Sequence, residues 1–247
     1  MKDNNILVTG ASSGIGASCS IACSESGANL ILLGRNQEKL DHIMSQLSPG
    51  NHSSISIDLT GIEDIENSLE DILNKYGKIH GFVHSAGIDM TLPLNALKHK
   101  DYKSIFSTNV ISGFELARVL SKRRFCPISG ASYIFIASVM GLVGEVAKVA
   151  YSASKGALLA GCRSMALELA TKKIRVNCIS PAIVQTDLVN KLFEELPKGA
   201  VDRIKSLHPL GIGSPEDIAN ACVFLLSIES KWITGSNIVI DGGYSCQ

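Results

Sequence analysis

The chain has 247 residues, of which 45% are apolar and 19% are charged, a composition typical of globular proteins rather than disordered ones. Its 23 basic and 23 acidic side chains balance, so no overall field attracts nucleic acid or an anionic membrane, and we expect neither as a partner. No apolar run reaches the roughly 20 residues of a membrane span, and the first residues lead directly into a predicted strand. We therefore expect a cytoplasmic protein with one domain over residues 1–247.

The seven cysteines are scattered, odd in number, and form no Cys-x-x-Cys pair. No cluster of histidines and cysteines has the spacing of a metal site, so no metal is expected. Cys19 and Cys23 would share one helix face, where ordinary packing is a better interpretation than a redox role. The cysteines are predicted to be small buried residues in a reducing compartment.

A glycine-rich turn follows the first apolar run, at residues 6–9, and leads into a helical stretch. Gly10, Gly14 and Gly16 let the backbone turn sharply and approach a ligand. The helix start then presents free N–H groups and a positive dipole end to a pyrophosphate. A plain tight turn is the alternative, but the position after the first strand of a βαβ unit favours a dinucleotide site.

The second predicted strand, at residues 29–33, ends in Gly34 and Arg35. A cofactor with a free ribose 2′-hydroxyl would need a carboxylate at this strand end, and the sequence has none there. Arg35 instead offers a planar, permanently charged group to a 2′-phosphate. The alternative is an exposed arginine that opens the next helix.

Two further strand ends carry candidate site residues. Asp58 ends a strand beside the expected adenine position, and residues 84–87, His-Ser-Ala-Gly, end the next one. Gly87 would let the backbone pass close to a cofactor. His84 could be catalytic, but a hydrogen-bonded structural histidine is the better interpretation.

A long helix is predicted over residues 102–122, with Asn109 in its interior. Asparagine is slightly unfavourable there because its side chain competes for backbone groups. Its presence has two explanations, the binding of water or backbone, or chance.

Tyr151 and Lys155 lie four residues apart in a predicted helix over residues 147–170, so both side chains point to one side. A phenol has a pKa of about 10, and a fixed ammonium nearby would move it toward the working range of a proton shuttle. Ser138 is delivered by the preceding strand, at residues 133–137. The alternative is a tyrosine and a lysine on a solvated helix face.

The strand at residues 174–179 ends at Pro181, which is expected to force the chain out of regular pairing. Residues 186–210 form a mixed segment with an amphipathic piece. A lid over the site is one interpretation and a plain surface helix is the alternative. The apolar positions of the amphipathic piece are Leu188, Val189, Leu192, Phe193 and Leu196.

Strands and helices alternate along the whole chain, which is typical of parallel sheets. The remaining predicted strands and helices are residues 37–47, 54–58, 62–76, 81–84, 215–226 and 237–241. We predict an α/β fold, a Rossmann-type doubly wound parallel sheet of about seven strands with helices on both faces.

With these elements in place, the chain from residue 6 to residue 244 resembles the short-chain dehydrogenase/reductase family, and is similar to its 3-oxoacyl-[acyl-carrier-protein] reductases. The matching features are Thr-Gly-Ala-Ser-Ser-Gly-Ile-Gly at residues 9–16, Asp58, Asn109, Ser138, Tyr151 with Lys155, and Asp-Gly-Gly at residues 241–243. The resemblance implies a nicotinamide cofactor and four catalytic residues, Asn109, Ser138, Tyr151 and Lys155. The cofactor-binding residues that it implies are Gly10, Ser12, Ser13, Gly14, Ile15, Gly16, Arg35, Asp58, Leu59, Ser85, Ala86, Gly87, Asn109, Tyr151, Lys155, Pro181, Ile183 and Thr186.

The resemblance and the residue chemistry together imply a mechanism. Ser138 would hold the substrate oxygen, Tyr151 would protonate it, and Lys155 would lower the phenol pKa and anchor the ribose hydroxyls. Asn109 would hold a water that refills the proton, and Thr186 would contact the nicotinamide carboxamide.

Two segments depart from the family pattern. His84-Ser85 replaces the usual Asn-Asn, which is expected to loosen the polar bracing between the fourth and fifth strands. Ala182 replaces the usual glycine after Pro181, and is expected to stiffen that loop because alanine resists a positive φ.

We expect an NADPH-dependent carbonyl reductase acting on a 3-oxoacyl thioester, with NAD(H) a weaker candidate cofactor. A small ketone, sugar or polyol is the alternative substrate, and a non-catalytic dinucleotide-binding protein is the alternative class. The resemblance implies a homotetramer and makes an acyl carrier protein a candidate partner. Its docking rim would be the basic helix ends at residues 122–124 and 172–173.

Overall fold

The computed structural model describes residues 1–60 and 65–246, without the side chains of Ser68 and Leu188. Its strands are β1 (Asn5–Thr9), β2 (Asn29–Gly34), β3 (Ser53–Ser56), β4 (Gly81–His84), β5 (Ala131–Ile136), β6 (Ile174–Pro181) and β7 (Asn237–Ile240). They form one sheet in the order β3-β2-β1-β4-β5-β6-β7, and every pair is parallel. The order reverses between β1 and β4, where ligands of doubly wound sheets bind. The predicted Rossmann-type fold is confirmed.

Helices cover both faces of this sheet, and each face has its own apolar core. Helices α1, α2 and α9 pack on one face, and α3, α5 and α6 on the other. Because both faces are covered, the central strands are apolar throughout, and every residue of β5 is buried. The helices are α1 (Gly14–Glu25), α2 (Gln37–Met44), α3 (Ile65–Tyr76), α4 (His99–Phe106), α5 (Ser112–Leu120), α6 (Val149–Leu169), α7 (Asp187–Glu195), α8 (Lys198–Ser206) and α9 (Pro215–Leu226).

Three predicted helices differ in detail, and the first three residues of a fourth, the predicted helix 62–76, lie outside the described residues. The predicted helix 37–47 ends earlier, at Met44. The predicted helix 102–122 is α4 and α5 joined by a π-helical segment, Ser107–Ile111. The predicted helix 147–170 begins two residues later, at Val149, because Ala147 has a left-handed φ of 64° and Lys148 is not helical.

The end of β6 corrects two expectations. Pro181 does not leave the sheet, since it is the last residue of β6 and lies opposite Ile240 of β7. At a strand end the missing N–H of proline interrupts no continuing ladder. Ala182 is not among the described non-glycine residues with positive φ, and its N–H donates to the Ile240 carbonyl at 3.4 Å. Ala182 therefore does not adopt the positive φ that alanine resists, and the expected stiffening of the loop stays a prediction.

The basic helix ends are also placed differently from the prediction. Ala131 N–H, at the start of β5, donates to the Lys173 carbonyl, and the Lys172 ammonium donates to the Ser121 carbonyl. The ammonium of Lys78, which precedes β4, donates to the carbonyls of Arg123 and Arg124. Both basic segments therefore lie at the amino ends of the strands, and a single chain does not place them beside the site.

Six of the seven cysteines are buried as predicted, but Cys246 is exposed. Within the described part of the chain, no helix combines the length and the apolar character that crossing a membrane requires.

Candidate active site

The glycine turn between β1 and α1 is shaped by close backbone contacts. A Cβ atom on Gly10, whose φ is 65°, would lie 2.8 Å from the Ala86 nitrogen, beside Ser85. A Cβ on Gly16 would lie 2.3 Å from the Gly10 carbonyl oxygen. Only glycine therefore allows the turn to fold against the end of β4.

The start of α1 suits an anionic group. In the described structure, the Ser13 side chain makes no capping hydrogen bond, and no acidic residue lies in the first turn. The N–H groups and the positive end of the helix dipole are therefore available to a pyrophosphate. A Cβ on Gly14 would lie 3.1 Å from the Thr186 methyl carbon, so the glycine turn and Thr186 are neighbours. One cofactor could therefore contact both.

Arg35 is exposed directly after β2 and lines a cleft of about 350 Å³. Ser12 of the glycine turn lies close to Gly34 on the same strand end. Among the lining residues that the structure describes, three are cations and none is a carboxylate. The lining residues are Arg35, Thr60, Ile88, Lys100, Lys103, Ser104, Ser107 and Thr108. This cleft is suited to bind an anionic group.

Asp58 lies two residues beyond the end of β3 and is committed to a local turn. Its carboxylate accepts hydrogen bonds from the N–H and the hydroxyl of Thr60, at 2.9 Å and 2.7 Å. These two bonds, with a smaller contribution from the Arg35 charge, lower the pKa of Asp58. Leu59 is partly buried against the core. The structure leaves Asp58 exposed beside the Arg35 cleft.

His84 is buried and hydrogen-bonded, as predicted. The Nδ1 atom of His84 lies 3.0 Å from the Thr9 hydroxyl, and the Nε2 atom of His84 lies 3.2 Å from the Asn109 carbonyl oxygen. A carbonyl can only accept, so the Nε2–H donates to it, Nδ1 is the acceptor of the neutral ring, and the Thr9 hydroxyl donates to Nδ1 while accepting from the Ala86 N–H at 3.1 Å. Burial, and then the Lys155 charge, lower the pKa of His84 to about 3, which keeps the ring neutral. These bonds join β4 to β1 and to the π-helical segment, whereas the expected loosening concerned β4 and β5 and stays a prediction.

Asn109 lies in the π-helical segment, a feature that often occurs at functional sites. Its side-chain oxygen accepts from the Ile88 N–H at 2.8 Å. Its amide donates to the Ile88 carbonyl at 3.0 Å and to the Ser154 hydroxyl at 3.1 Å. Both amide N–H groups are therefore used within the protein, and a water could bind only to an oxygen of this residue.

Ser138, Tyr151 and Lys155 are brought together at the carboxyl ends of β5 and β6. The Ser138 oxygen caps a short 3₁₀ helix by accepting from the Met140 N–H at 3.2 Å, and Ser138 lies close enough to Tyr151 to affect the pKa of the phenol. Tyr151 and Lys155 share one side of α6, with the Lys155 nitrogen 5.6 Å from the centre of the tyrosine ring. A Cβ on Gly87 would lie 3.6 Å from that nitrogen, so glycine keeps the space beside it open.

The electrostatics of this group correct one expectation. Burial raises the pKa of Tyr151 to about 12, Asp89 adds to the rise, and the Ser138 hydrogen bond opposes it. Lys155 donates to the Ile136 carbonyl at 2.8 Å, and burial lowers its own pKa to about 8. The predicted fall in the phenol pKa is therefore not found in this structure, since loss of hydration is the largest effect on the phenol.

The loop after β6 carries the remaining predicted residues. Thr186 begins α7 and accepts from the Val189 N–H at 3.4 Å. The Ile183 N–H donates to the buried ring of His208 at 3.4 Å, which fixes the loop. Ile15 of the glycine turn packs against the core of the α1 face. The predicted lid region consists of α7 and α8, and Leu192 on α7 is exposed.

The sequence interpretation missed four charged residues. Lys100 and Lys103 line the Arg35 cleft, and Asp89 and Lys148 form an ion pair beside Tyr151. The spacing of Lys100 and Lys103 within one helix could have indicated the first pair. No local pattern could have indicated the second, because its two residues are 59 positions apart.

The comparisons with known proteins agree with this geometry. A family model described as "Enoyl-(Acyl carrier protein) reductase" matches residues 10–245. The 3-oxoacyl-[acyl-carrier-protein] reductase FabG of Thermotoga maritima is 32% identical over 240 residues, 96% of each chain. The NAD-dependent glycerol dehydrogenase of Listeria innocua is 33% identical over 99% of this chain and 96% of that protein. A solved structure of 4-hydroxyisoleucine dehydrogenase complexed with NADH has a TM-score of 0.90 at 32% identity, over 99% of this chain and 100% of the other.

The chain belongs to the short-chain dehydrogenase/reductase family, and it is an oxidoreductase that acts on CH–OH or carbonyl groups. Members of the family bind NAD(P)(H). The resemblance seen in the sequence is confirmed. These relatives differ in substrate, and two of them are named with NAD or NADH, so the family alone assigns neither the substrate nor the choice between NAD and NADP.

Proposed function

We propose that this protein is an NADPH-dependent reductase that converts a carbonyl to a secondary alcohol, with a 3-oxoacyl thioester as the first candidate substrate. The observation that carries the proposal is the grouping of Tyr151 with Lys155 on one side of α6, with Ser138 close enough to the phenol to affect its pKa. A protein that only bound a dinucleotide would not need two aligned hydroxyl groups at this place.

A bound nicotinamide dinucleotide would supply a hydride to the carbonyl carbon. The glycine turn would hold its pyrophosphate at the start of α1, and Lys155 would bind its ribose hydroxyls. Ser138 would donate a hydrogen bond to the carbonyl oxygen, and the Tyr151 hydroxyl would then donate its proton to that oxygen. A phenol with a raised pKa remains protonated at neutral pH, which suits a proton donor in the direction of reduction.

The preference for NADPH is supported by the Arg35 cleft. Arg35 stands where a carboxylate would otherwise bind a free 2′-hydroxyl, and Lys100 and Lys103 line the same cleft. Arginine suits a phosphate because its planar group can donate two parallel hydrogen bonds. The opposite preference has support from the Listeria innocua dehydrogenase, which is named as NAD-dependent, and from the relative solved with NADH.

The choice of a 3-oxoacyl thioester is supported by the Thermotoga maritima reductase and by the apolar side of α7, a candidate lid. A small polyol or ketone is the second candidate. The Listeria innocua glycerol dehydrogenase supports it, as does the polar Asp89–Lys148 pair beside the tyrosine. A carrier protein that docks on the basic helix ends would need them from a second subunit, because one chain places them away from its own site.

Initial rates with each cofactor would test the function. The panel would contain a carrier-bound 3-oxoacyl group, its small soluble analogue, and glycerol with its ketone. We expect NADPH oxidation with the 3-oxoacyl substrates. Turnover confined to the polyol pair would replace the first candidate with the second. Tight cofactor binding without turnover on any substrate would reject an enzyme acting on these classes.

A further inference from the structure

An ion pair lies between the catalytic helix and the loop that follows β4. The Lys148 ammonium is 2.5 Å from the Asp89 carboxylate. The Lys148 side chain is 14% exposed and that of Asp89 is 45% exposed, so the lysine is the more enclosed partner. Lys148 directly precedes α6, which carries Tyr151, and Asp89 follows Ile88, which is bound by Asn109.

The backbone ties the same two segments together. The Leu92 N–H donates to the Ala147 carbonyl at 2.9 Å. Ala147 has a φ of 64°, a left-handed conformation that is uncommon for alanine and needs support from its surroundings. Asp89 is itself oriented by a bond from the Met90 N–H to its carboxylate, at 2.7 Å. The ion pair therefore lies on a fixed frame.

Two ammonium groups lie close to the Tyr151 ring. The Lys148 nitrogen is 5.5 Å from the ring centre and the Lys155 nitrogen is 5.6 Å from it. Both distances are within the range of a cation–π contact. Lys155 is anchored on the Ile136 carbonyl, whereas Lys148 is held by Asp89.

We propose that Lys148 and Asp89 are positioning residues for Tyr151, and that the effects of their opposite charges on its hydroxyl offset each other. This inference rests on the proposed role of Tyr151 as the proton donor. The pair acts through the tyrosine, not by direct contact with the reacting atoms. The charged groups around Tyr151 are Asp89 on the loop after β4, Lys148 just before α6, and Lys155 on α6. Lys155 interacts in turn with two titratable groups, His84 of β4 and Cys178 of β6.

Removing either member of the pair is expected to shift the pH profile, in opposite directions for the two residues. Lys148→Met leaves the Asp89 carboxylate unbalanced, so the Tyr151 hydroxyl becomes harder to ionise. Asp89→Asn leaves the Lys148 ammonium unbalanced, so the hydroxyl becomes easier to ionise. Alcohol oxidation needs the ionised tyrosine as a base, so its pH profile should move up in the first variant and down in the second. We expect shifts on the order of one pH unit, or about tenfold in the oxidation rate at a fixed pH.

The experiment compares pH–rate profiles of alcohol oxidation for these variants, in the full-length protein with saturating cofactor. A second measurement needs no cofactor, because the ultraviolet absorbance of tyrosinate can be titrated and the Tyr151→Phe curve subtracted. Lys148→Arg keeps the charge and should restore the wild-type profile. Glu145→Gln removes an exposed carboxylate from the same loop and should leave the pH–rate profile unchanged. Because Glu145 raises the pKa of Tyr244, its absorbance curve is compared with that of the Glu145→Gln, Tyr151→Phe double variant.

The possible results separate the two proposals. Opposite shifts in Lys148→Met and Asp89→Asn, in both the rate and the absorbance, support the pair. Shifts in the same direction, or equal losses of rate without a shift, would show that the pair only holds the loop, and the inference would be rejected. Near-normal turnover of Tyr151→Phe would instead reject the proposed function. If Tyr151→Phe is inactive and neither charge variant changes the profile, only the inference fails.

Discussion

The neutral state of His84 should make the protein sensitive to acid. In the folded protein burial lowers the pKa of His84 from 6.5 to about 3, so the unfolded chain binds this proton far more readily. The free energy of unfolding therefore falls as the pH drops below 6.5, and the loss is complete only near the folded value. The slope of this fall approaches about 1.4 kcal/mol per pH unit. The loss of unfolding free energy is therefore about 2 kcal/mol at pH 5, with an upper limit near 5 kcal/mol.

The perturbation is His84→Asn, and the assay is urea unfolding followed by circular dichroism between about pH 7 and pH 5, at one protein concentration. The variant loses part of its stability at all pH values because a buried polar residue is replaced. The deciding quantity is the change in the free energy of unfolding between about pH 7 and pH 5. In the variant this change should be smaller than in the wild type by about 2 kcal/mol. His99→Asn removes an exposed histidine and should keep the wild-type change.

The result that would refute this reasoning is an equal pH dependence of unfolding in the wild type and in His84→Asn. It would mean that the fold accommodates a protonated ring at this position. The hydrogen bonds argue against that outcome, since Nδ1 must accept from Thr9 while Nε2 donates to the Asn109 carbonyl. A doubly protonated ring would force the Thr9 hydroxyl to accept from Nδ1 as well as from the Ala86 N–H, so the hydroxyl proton would lose its partner on the ring.

Three further substitutions test other parts of the structure. Tyr151→Phe should reduce turnover by about a hundredfold or more while cofactor affinity stays unchanged, because it removes the proton donor and keeps the ring; stopped-flow rates and fluorescence titration would check this. Arg35→Ala should lower kcat/KM with NADPH by about tenfold to a hundredfold and leave NADH almost unaffected, and equal losses with both cofactors would contradict the 2′-phosphate contact. Gly130→Ala should cost at least about 2 kcal/mol of stability in thermal unfolding, because its φ is 99° and a Cβ would lie 2.1 Å from the Lys173 carbonyl oxygen. Gly144→Ala is its control, since a Cβ there meets nothing within 4 Å, and a similar loss in both would reject the steric explanation.

The fold could be predicted because its signals are local and repeated. Each strand is a short apolar run followed by a turn and a helical period, and such alternation permits few topologies. The boundaries were less certain where a single backbone angle decides them. The start of α6 moved from residue 147 to Val149 because Ala147 adopts a left-handed conformation, which its residue type does not indicate. Pro181 was expected to leave the sheet, but a strand end tolerates a residue without an N–H.

The members of the candidate site could be named from sequence, but their electrostatics could not. Spacing along a helix places Tyr151 and Lys155 on one side, whereas the balance between hydration and charge depends on how deeply each group is buried. The lysine was expected to dominate, and burial dominates instead. Asp89 and Lys148 were missed for a related reason, since only the folded chain brings residues from different segments into contact.

The departure at His84 shows which property of that position the site requires. Lys155 has a pKa of about 8, so its ammonium is only moderately stable at neutral pH, and a second positive charge nearby would lower that value further. The charge of Lys155 in turn helps to keep His84 neutral. An asparagine, the residue usual in the family, is neutral by its chemistry, whereas this histidine is neutral because it is buried and because Thr9 and Asn109 use both of its nitrogens. The side chain at this strand end is therefore uncharged and joins β1 to the π-helical segment, and its neutrality comes from its surroundings rather than from its residue type.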